Sequence, residues 1–375
     1  MSPPPAPPRR DDRETAARPA SKPPAAAPKR VKIPEVFIPA PNFNPHFNPM
    51  FQGPGTNRLA QLGARRPAAE VNPVTGEAVI TKGDLTVFID RWNSQAGSGL
   101  RVSTFKLLDV CALALTAVNP YRPGPGTALR TSVSIDLDDY LDICGIPNTK
   151  PSKDKTRRKV KEDLEILFNL SLEWSEPRGG QTADYAKMRL ITSQGLKNGR
   201  ILVNFSPEMA AYLTGAYVMQ YPMAVLKIDE RGSAAYHFGR KLALHHSMEA
   251  NQAGGTANLI SVKSLLACAP DIPSPEEVAA SGRQFEQRIQ TPFVKALEAL
   301  ESFVHWEFAN AKGQKLADGQ LDDFRYAVFI ESYIKFEIKS SEPTANPLAR
   351  NFSAAPAGTK KKAAPKKFSP KAAAK

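Results

Sequence analysis

Six cationic side chains crowd into nine residues of this chain: Lys153, Lys155, Arg157, Arg158, Lys159 and Lys161, just after the turn Pro147-Asn148-Thr149-Lys150-Pro151. Apolar residues at Val160, Leu164, Leu167 and Phe168 keep a spacing of three and four, which predicts a helix from Lys153 to Phe168 capped by Ser152. A major groove admits a rod of that width, and after a tight turn it is the first residues of such a helix that reach base edges. Arginine can grip guanine with two parallel hydrogen bonds, whereas lysine acts as a point charge on phosphate. Arg157 and Arg158 are therefore the candidate base readers, and Lys153, Lys155, Lys159 and Lys161 the candidate phosphate contacts. The competing reading is a solvated helix face that happens to be basic.

A second stretch has the same character with less charge. Arg283, Gln284, Gln287, Arg288, Thr291 and Lys295 lie opposite an apolar stripe of Phe285, Ile289, Phe293, Leu297 and Leu300, predicting an amphipathic helix over Arg283 to Glu301. Glutamine and arginine suit adenine and guanine edges; an ordinary polar face is the alternative. Two turns add cations that could follow a phosphate backbone: Lys197, Asn198 and Arg200 in one, Lys312 and Lys315 in the other.

Catalytic patterns do not emerge. His245-His246 lacks the His-x-His spacing and tyrosine of strand-nicking enzymes, and His237 and His305 stand alone. Gly124-Pro125-Gly126 and Gly254-Gly255 are not followed by Gly-Lys-Ser/Thr, so no phosphate-cradling loop is expected. Asp138, Asp139 and Asp142 are spaced for a helix start rather than for a metal. Cys111, Cys144 and Cys268 are single and set among apolar neighbours, which predicts buried inert thiols. The chain is expected to be no enzyme and to need no cofactor or metal.

The elements that must position these cations come in a repeated order. Val102 to Val118 is apolar enough for a nearly buried helix, Asp136 to Gly145 reads as a short helix, and the basic helix follows. Strands are expected at Leu170 to Trp174, Lys187 to Thr192 and Arg200 to Phe205. Ser206 to Leu213 reads as a helix and Met219 to Ile228 as extended chain. The series then recurs: a helix over Ala234 to Met248, a short one over Val262 to Ala269 capped by Ser261, the amphipathic helix, and strands at Val304 to Phe308 and Ala327 to Phe336. Helix, helix, turn, helix and hairpin is the order of a winged helix, and with one gap allowed Val160-Lys161-Glu162-Asp163-Leu164-Glu165-Ile166-Leu167, ending at Trp174, echoes Val294-Lys295-Ala296-Leu297-Glu298-Ala299-Leu300, ending at Trp306. The expected fold class is α+β, mainly helical: two winged-helix domains in tandem, 83–228 and 229–339, between a disordered Pro/Ala-rich arm, 1–78, and a disordered Lys-rich tail, 340–375.

A net charge of +13 sets up a field that attracts polyanions. No run approaches the ~20 apolar residues of a membrane span, so a cytoplasmic, nucleic-acid-associated protein is expected. The motifs Tyr140-Leu141-Asp142-Ile143-Cys144-Gly145-Ile146, the basic helix, Leu170-Ser171-Leu172-Glu173-Trp174 and Arg200-Ile201-Leu202-Val203-Asn204-Phe205-Ser206 give the chain a layout that resembles the tandem winged-helix replication initiators of iteron-type bacterial plasmids. The resemblance covers 83–339. It implies that the two basic helices sit in successive major grooves of repeated origin DNA, that a monomer initiates and a dimer can repress, and that host helicase is recruited. A winged-helix transcriptional regulator of a mobile element would make the same DNA contacts and is the alternative reading; a nonspecific architectural protein is the third.

Overall fold

The computed structural model describes residues 38–39, 42–53, 56, 59, 70–82, 85–90, 100–124, 126–176, 184–215, 217–249, 258–281, 284–317 and 326–339. All lie in one compact unit, Val36–Lys375. The chain is mixed α/β, with more sheet than its sequence suggests.

The molecule is built around α1, Val102–Val118, in which every residue from Val102 to Thr116 is buried. A helix with apolar residues on every side must be surrounded, and its few polar groups need buried partners. Here β2 (Phe47–Gln52), β6 (Ser132–Asp136) and α3 (Lys150–Phe168) pack on it. Between β6 and α3 lies α2, Leu137–Ile143, opened by an Asp136 carboxylate that accepts from the Asp138 amide. It ends in the turn at Gly145, whose φ of +65° suits glycine. The strands β9 (Ile191–Lys197) and β10 (Arg200–Phe205) then form a hairpin, and the sheet runs β1-β6-β10-β9, with β1 (Ile38–Pro39) parallel to β6. The hairpin turn places Asn198 and Gly199 at φ of +52° and +74°, the positive values a two-residue turn needs to match strand twist.

The same order recurs. Helix α6, Ser233–Glu249, is followed by β12 (Leu259–Ser261), α7 (Val262–Leu266), α8 (Pro275–Ser281), a π turn at Glu286–Gln290, α9 (Thr291–Glu298), β13 (Val304–Ala309) and β14 (Tyr333–Ile338). Its sheet, β12-β14-β13, pairs the first strand with the last, as β6 pairs with β10. Aromatic rings fill this second core. Phe293 lies 5.1 Å from Phe238 and 5.3 Å from Phe329, and Phe285 lies 5.5 Å from Phe329.

Several expectations are corrected. The arm 1–78 was expected to lack structure, yet β2 is buried at Met50 and Phe51 and pairs antiparallel with β11, Tyr217–Pro222. Likewise β3 (Glu70–Val71) and β4 (Ala78–Lys82) join β5 (Leu85–Ile89), β7 (Leu170–Glu176) and β8 (Asp184–Arg189) in a five-stranded antiparallel sheet. The apolar residues Val87, Ile89, Leu170 and Leu172 pair across it and are buried, which is why β7 and β8 leave the basic-helix sheet and β9–β10 alone forms its hairpin. Extended chain was expected to Ile228, but α5, Ala224–Lys227, closes it after β11 and α4 (Pro207–Gly215). The strand expected from Ala327 is instead α10, Tyr326–Glu331, because Phe329 turns into the aromatic cluster and Ser332 Oγ donates to its carbonyl at 2.6 Å. Ends 1–37 and 340–375, including both tails beyond β1 and β14, lie outside the described residues.

One buried polar centre joins the two repeats. The Asp109 carboxylate on α1 accepts from the hydroxyls of Tyr221 (2.9 Å) on β11 and Tyr236 (2.8 Å) on α6, and from Arg240 Nε (3.1 Å) on α6; Arg240 also donates to Gln52 on β2. Asp109→Ala leaves a buried guanidinium without its counter-charge, and we expect it to lower the unfolding free energy by about 3–5 kcal/mol. Asp109→Leu combined with Arg240→Leu is expected to recover much of that loss; urea denaturation of both variants is the measurement.

Next to this centre His237 is buried against Phe105, and burial, aided by the Arg240 charge, holds its pKa at about 3. An unfolded chain binds the proton near 6.5 and the folded one does not, so stability is complete above pH 6.5 and falls as the pH drops toward 3. His237→Phe is expected to flatten that part of the pH–stability curve, read by urea midpoints between pH 7.5 and 5.

Candidate functional site

Helix α3 starts three residues earlier than its sequence suggested. Thr149, not Ser152, is its N-cap, the Thr149 hydroxyl accepting from the Ser152 amide, and Pro151 fits the first turn because an N–H there has no helical partner anyway. Thr156, Val160, Asp163, Leu164 and Leu167 face inward. Two contacts fix the helix against α1: Thr104 Oγ1 donates to Asp163 Oδ1 at 2.7 Å, and Arg101 donates to the same oxygen at 3.2 Å and to Glu162 at 3.0 Å. Burial pushes the Asp163 carboxyl above the usual range, and the Thr104 hydroxyl and Arg101 charge pull it back.

The six cations divide. Lys153 ion-pairs with Asp138 on α2 at 2.7 Å, and Lys159 is half-buried and pairs with Glu230. Lys155, Arg157, Arg158 and Lys161 are exposed on the outward side of the helix. Arg157 has a loose 3.8 Å contact with Asp154, and Arg158 donates to the Asp154 carbonyl at 3.5 Å, so both charges remain available to solvent.

The charge order along α3 runs against its own dipole. Lys150 and the six other cations occupy its first twelve residues with only Asp154 among them, while Glu162, Asp163 and Glu165 follow; there is no acid in the first turn and no base in the last. A helix prefers the reverse arrangement, each exposed misplaced charge costing about 0.3–1 kcal/mol. Such an order is unfavourable for the isolated helix and favourable when an anion lies across its N-terminal half. The neighbouring α2 carries the opposite sign, with Asp138, Asp139 and Asp142 exposed and the Asp139 pKa raised by partial burial and these like charges.

In the hairpin turn Lys197 and Arg200 are both exposed. The Gly199 carbonyl accepts from the Leu137 amide at 2.8 Å, anchoring the turn to the start of α2. In the second repeat Gln284, Gln287, Arg288, Thr291 and Lys295 are exposed, while Ile289, Phe293 and Leu297 are buried, as the amphipathic pattern predicts. Arg283, where the helix was expected to begin, lies outside the described residues. Gln284 has a φ of +70°, and helical chain starts at Phe285. It is also not a single α-helix. Pro292 lacks an N–H, and the preceding turn loosens so that the Thr291 amide reaches back to Glu286. Lys312 and Lys315 are exposed in the β13–β14 connection.

Other chemistry is sparse. Among the described residues no cluster of three or more His, Cys, Asp or Glu side chains is arranged to hold a metal, and no helix is long and apolar enough to cross a membrane. The three cysteines are buried, and burial pushes the Cys111 thiol up to about 12 and Cys144 to about 11. His245 and His246 bond to the Leu259 carbonyl and Asn258, tying α6 to β12.

No protein-family model matches the chain. No curated protein matches it. Two crystal structures of domains 2 and 3 of RctB show a shallow likeness. One covers 76% of this chain and 99% of its own, with 10% identity and a TM-score of 0.35; the other covers 76% and 97%, with 8% identity and a TM-score of 0.33. At those values the likeness decides neither fold class nor activity.

Since Lys161 is exposed and Asp163 anchors the helix, their substitutions should separate. Lys161→Ala is expected to leave stability within about 0.5 kcal/mol, whereas Asp163→Ala, which strands the donors Thr104 and Arg101, is expected to cost about 1–3 kcal/mol. Chemical denaturation of the two variants checks both values.

Proposed function

We propose that the chain binds double-stranded DNA through two winged helices, 83–228 and 229–339, and that it does so at repeated sequence in a plasmid replication origin to initiate replication. The observation that carries the DNA reading is the inverted charge order of α3, whose exposed Lys155, Arg157, Arg158 and Lys161 stand on a helix clamped by its apolar underside. The recurrence of one element order, with the first strand paired to the last in each sheet, supports the winged-helix assignment. In each repeat the helix before the hairpin would enter a major groove, and the hairpin turns, with Lys197 and Arg200 in the first, would follow the phosphates. Arg157 and Arg158 would read guanine, Lys155 and Lys161 would hold phosphate, and Gln284, Gln287, Arg288 and Lys295 would make the second set of contacts. The origin role rests on the resemblance of the motifs to plasmid initiators. Recruitment of a host helicase and a repressing homodimer belong to the same proposal, as does the absence of catalytic and cofactor chemistry.

Binding to duplexes carrying the repeats that flank the gene tests the reading by fluorescence anisotropy. These duplexes are expected to bind tighter than random duplex of equal length, and Arg157→Ala with Arg158→Ala to lose about 1–3 kcal/mol for each guanine contact. Lys161→Ala is expected to weaken all duplexes alike and to lower the salt slope by about one. Equal affinity for repeat and random duplex would refute the sequence-specific reading. Persistence of a circular DNA carrying only this gene and its repeats separates initiation from repression.

A further inference from the structure

Where α2 turns into α3 there is a cavity of about 370 Å3, walled on its far side by the segment 227–230 that leads from α5 toward α6. This volume falls in the range of small-molecule sites. Four lysines line it: Lys106 from α1, Lys155 and Lys159 from α3, and Lys227 from α5. Three carboxylates line it too, but each already has a cation or donor of its own. Asp229 is held by Arg231 at 2.6 Å, Glu230 by Lys159, and Asp163 by Arg101 and Thr104.

Cationic capacity is therefore left over. Lys106 is buried on α1, and its ammonium donates to the Ile228 carbonyl. Lys155 and Lys227 have no carboxylate partner among the described residues. Ser103, 2% exposed, also lines the cavity. Its hydroxyl lies near Asp163 without completing a hydrogen bond of good geometry. Burial lowers the pKa of Lys106, so an anion that pairs with it relieves a desolvated charge. The start of α3 adds the positive end of a long helix dipole.

We propose that this cavity binds a small phosphate-bearing anion of nucleotide size, in contact with Lys106 and Lys227. The site differs from the outward face of α3, with Lys155 at the boundary between them, and it does not depend on the DNA reading. Calorimetric titration of the full chain with ADP and with inorganic pyrophosphate, in the absence of DNA, is the test. One saturable site is expected for at least one of these probes. Lys227→Glu, at an exposed position, is expected to weaken it by about tenfold or more, the equivalent of one charge-assisted hydrogen bond. Lys106→Met is expected to do the same; should that variant not fold, Lys227→Glu decides.

No saturable heat with either probe, or binding unchanged in Lys227→Glu, overturns the proposal. So does the outcome in which neither probe binds and Lys227→Glu weakens only duplex DNA, since the occupant would then be a backbone phosphate.

Discussion

The buried carboxylate of Asp109 is the constraint from which the arrangement of this molecule follows. A charge that deep is tolerated only with a counter-charge and filled hydrogen-bonding positions. Arg240 and two tyrosine hydroxyls supply both, and they come from α6 and β11 while the acid itself sits on α1. Because these elements open the two repeats and link them, the polar centre can be satisfied only when the repeats are docked in one register. Apolar packing alone would allow neighbouring registers at similar energy; a buried ion pair with two further donors does not. On this view the arrangement of the two basic helices is set by a few groups far from their exposed faces.

Much of the core was legible because its signals are local. The helix Val102–Val118 is apolar enough to be nearly buried, and the stripe Ile289, Phe293, Leu297 has one side only; both stand as read. What escaped depends on partners distant in sequence. Phe47–Gln52 looks like spacer because Asn44-Pro45 just before it and Asn48-Pro49 within it discourage structure, yet it pairs with Tyr217–Pro222 across the molecule. Leu170–Glu176 reads as a hairpin strand and does pair with Asp184–Arg189, but its other edge is taken by Leu85–Ile89, far away in sequence. At Ala327 the β-branched and aromatic composition favours a strand, and the pocket waiting for Phe329 favours a helical turn. Tertiary fit overrode propensity in each case.

The candidate site was legible by composition but not by availability. Six adjacent cations look alike in the sequence. In the fold Lys153 is turned to Asp138 and Lys159 to Glu230, leaving the other four outward. No local pattern distinguishes them, since Asp138 and Glu230 lie on separate elements. Conversely, the acid on α2 becomes informative only once that helix is seen beside α3. A polyanion approaching this surface meets attraction on one helix and repulsion on the next, which narrows the orientations it can adopt.

The pairing of β2 with β11 bears on how the chain is made. Met50 faces Met219 in that ladder, so during synthesis the first strand emerges long before its partner exists. At ~5–20 residues per second the delay is on the order of ten seconds. Until then Met50 and Phe51, fully enclosed in the finished molecule, lack the strand that completes their sheet, although α1, made earlier, also packs on them. A ribosome-associated chaperone has time to hold that segment, and a truncated chain ending before β11 would leave it without that strand.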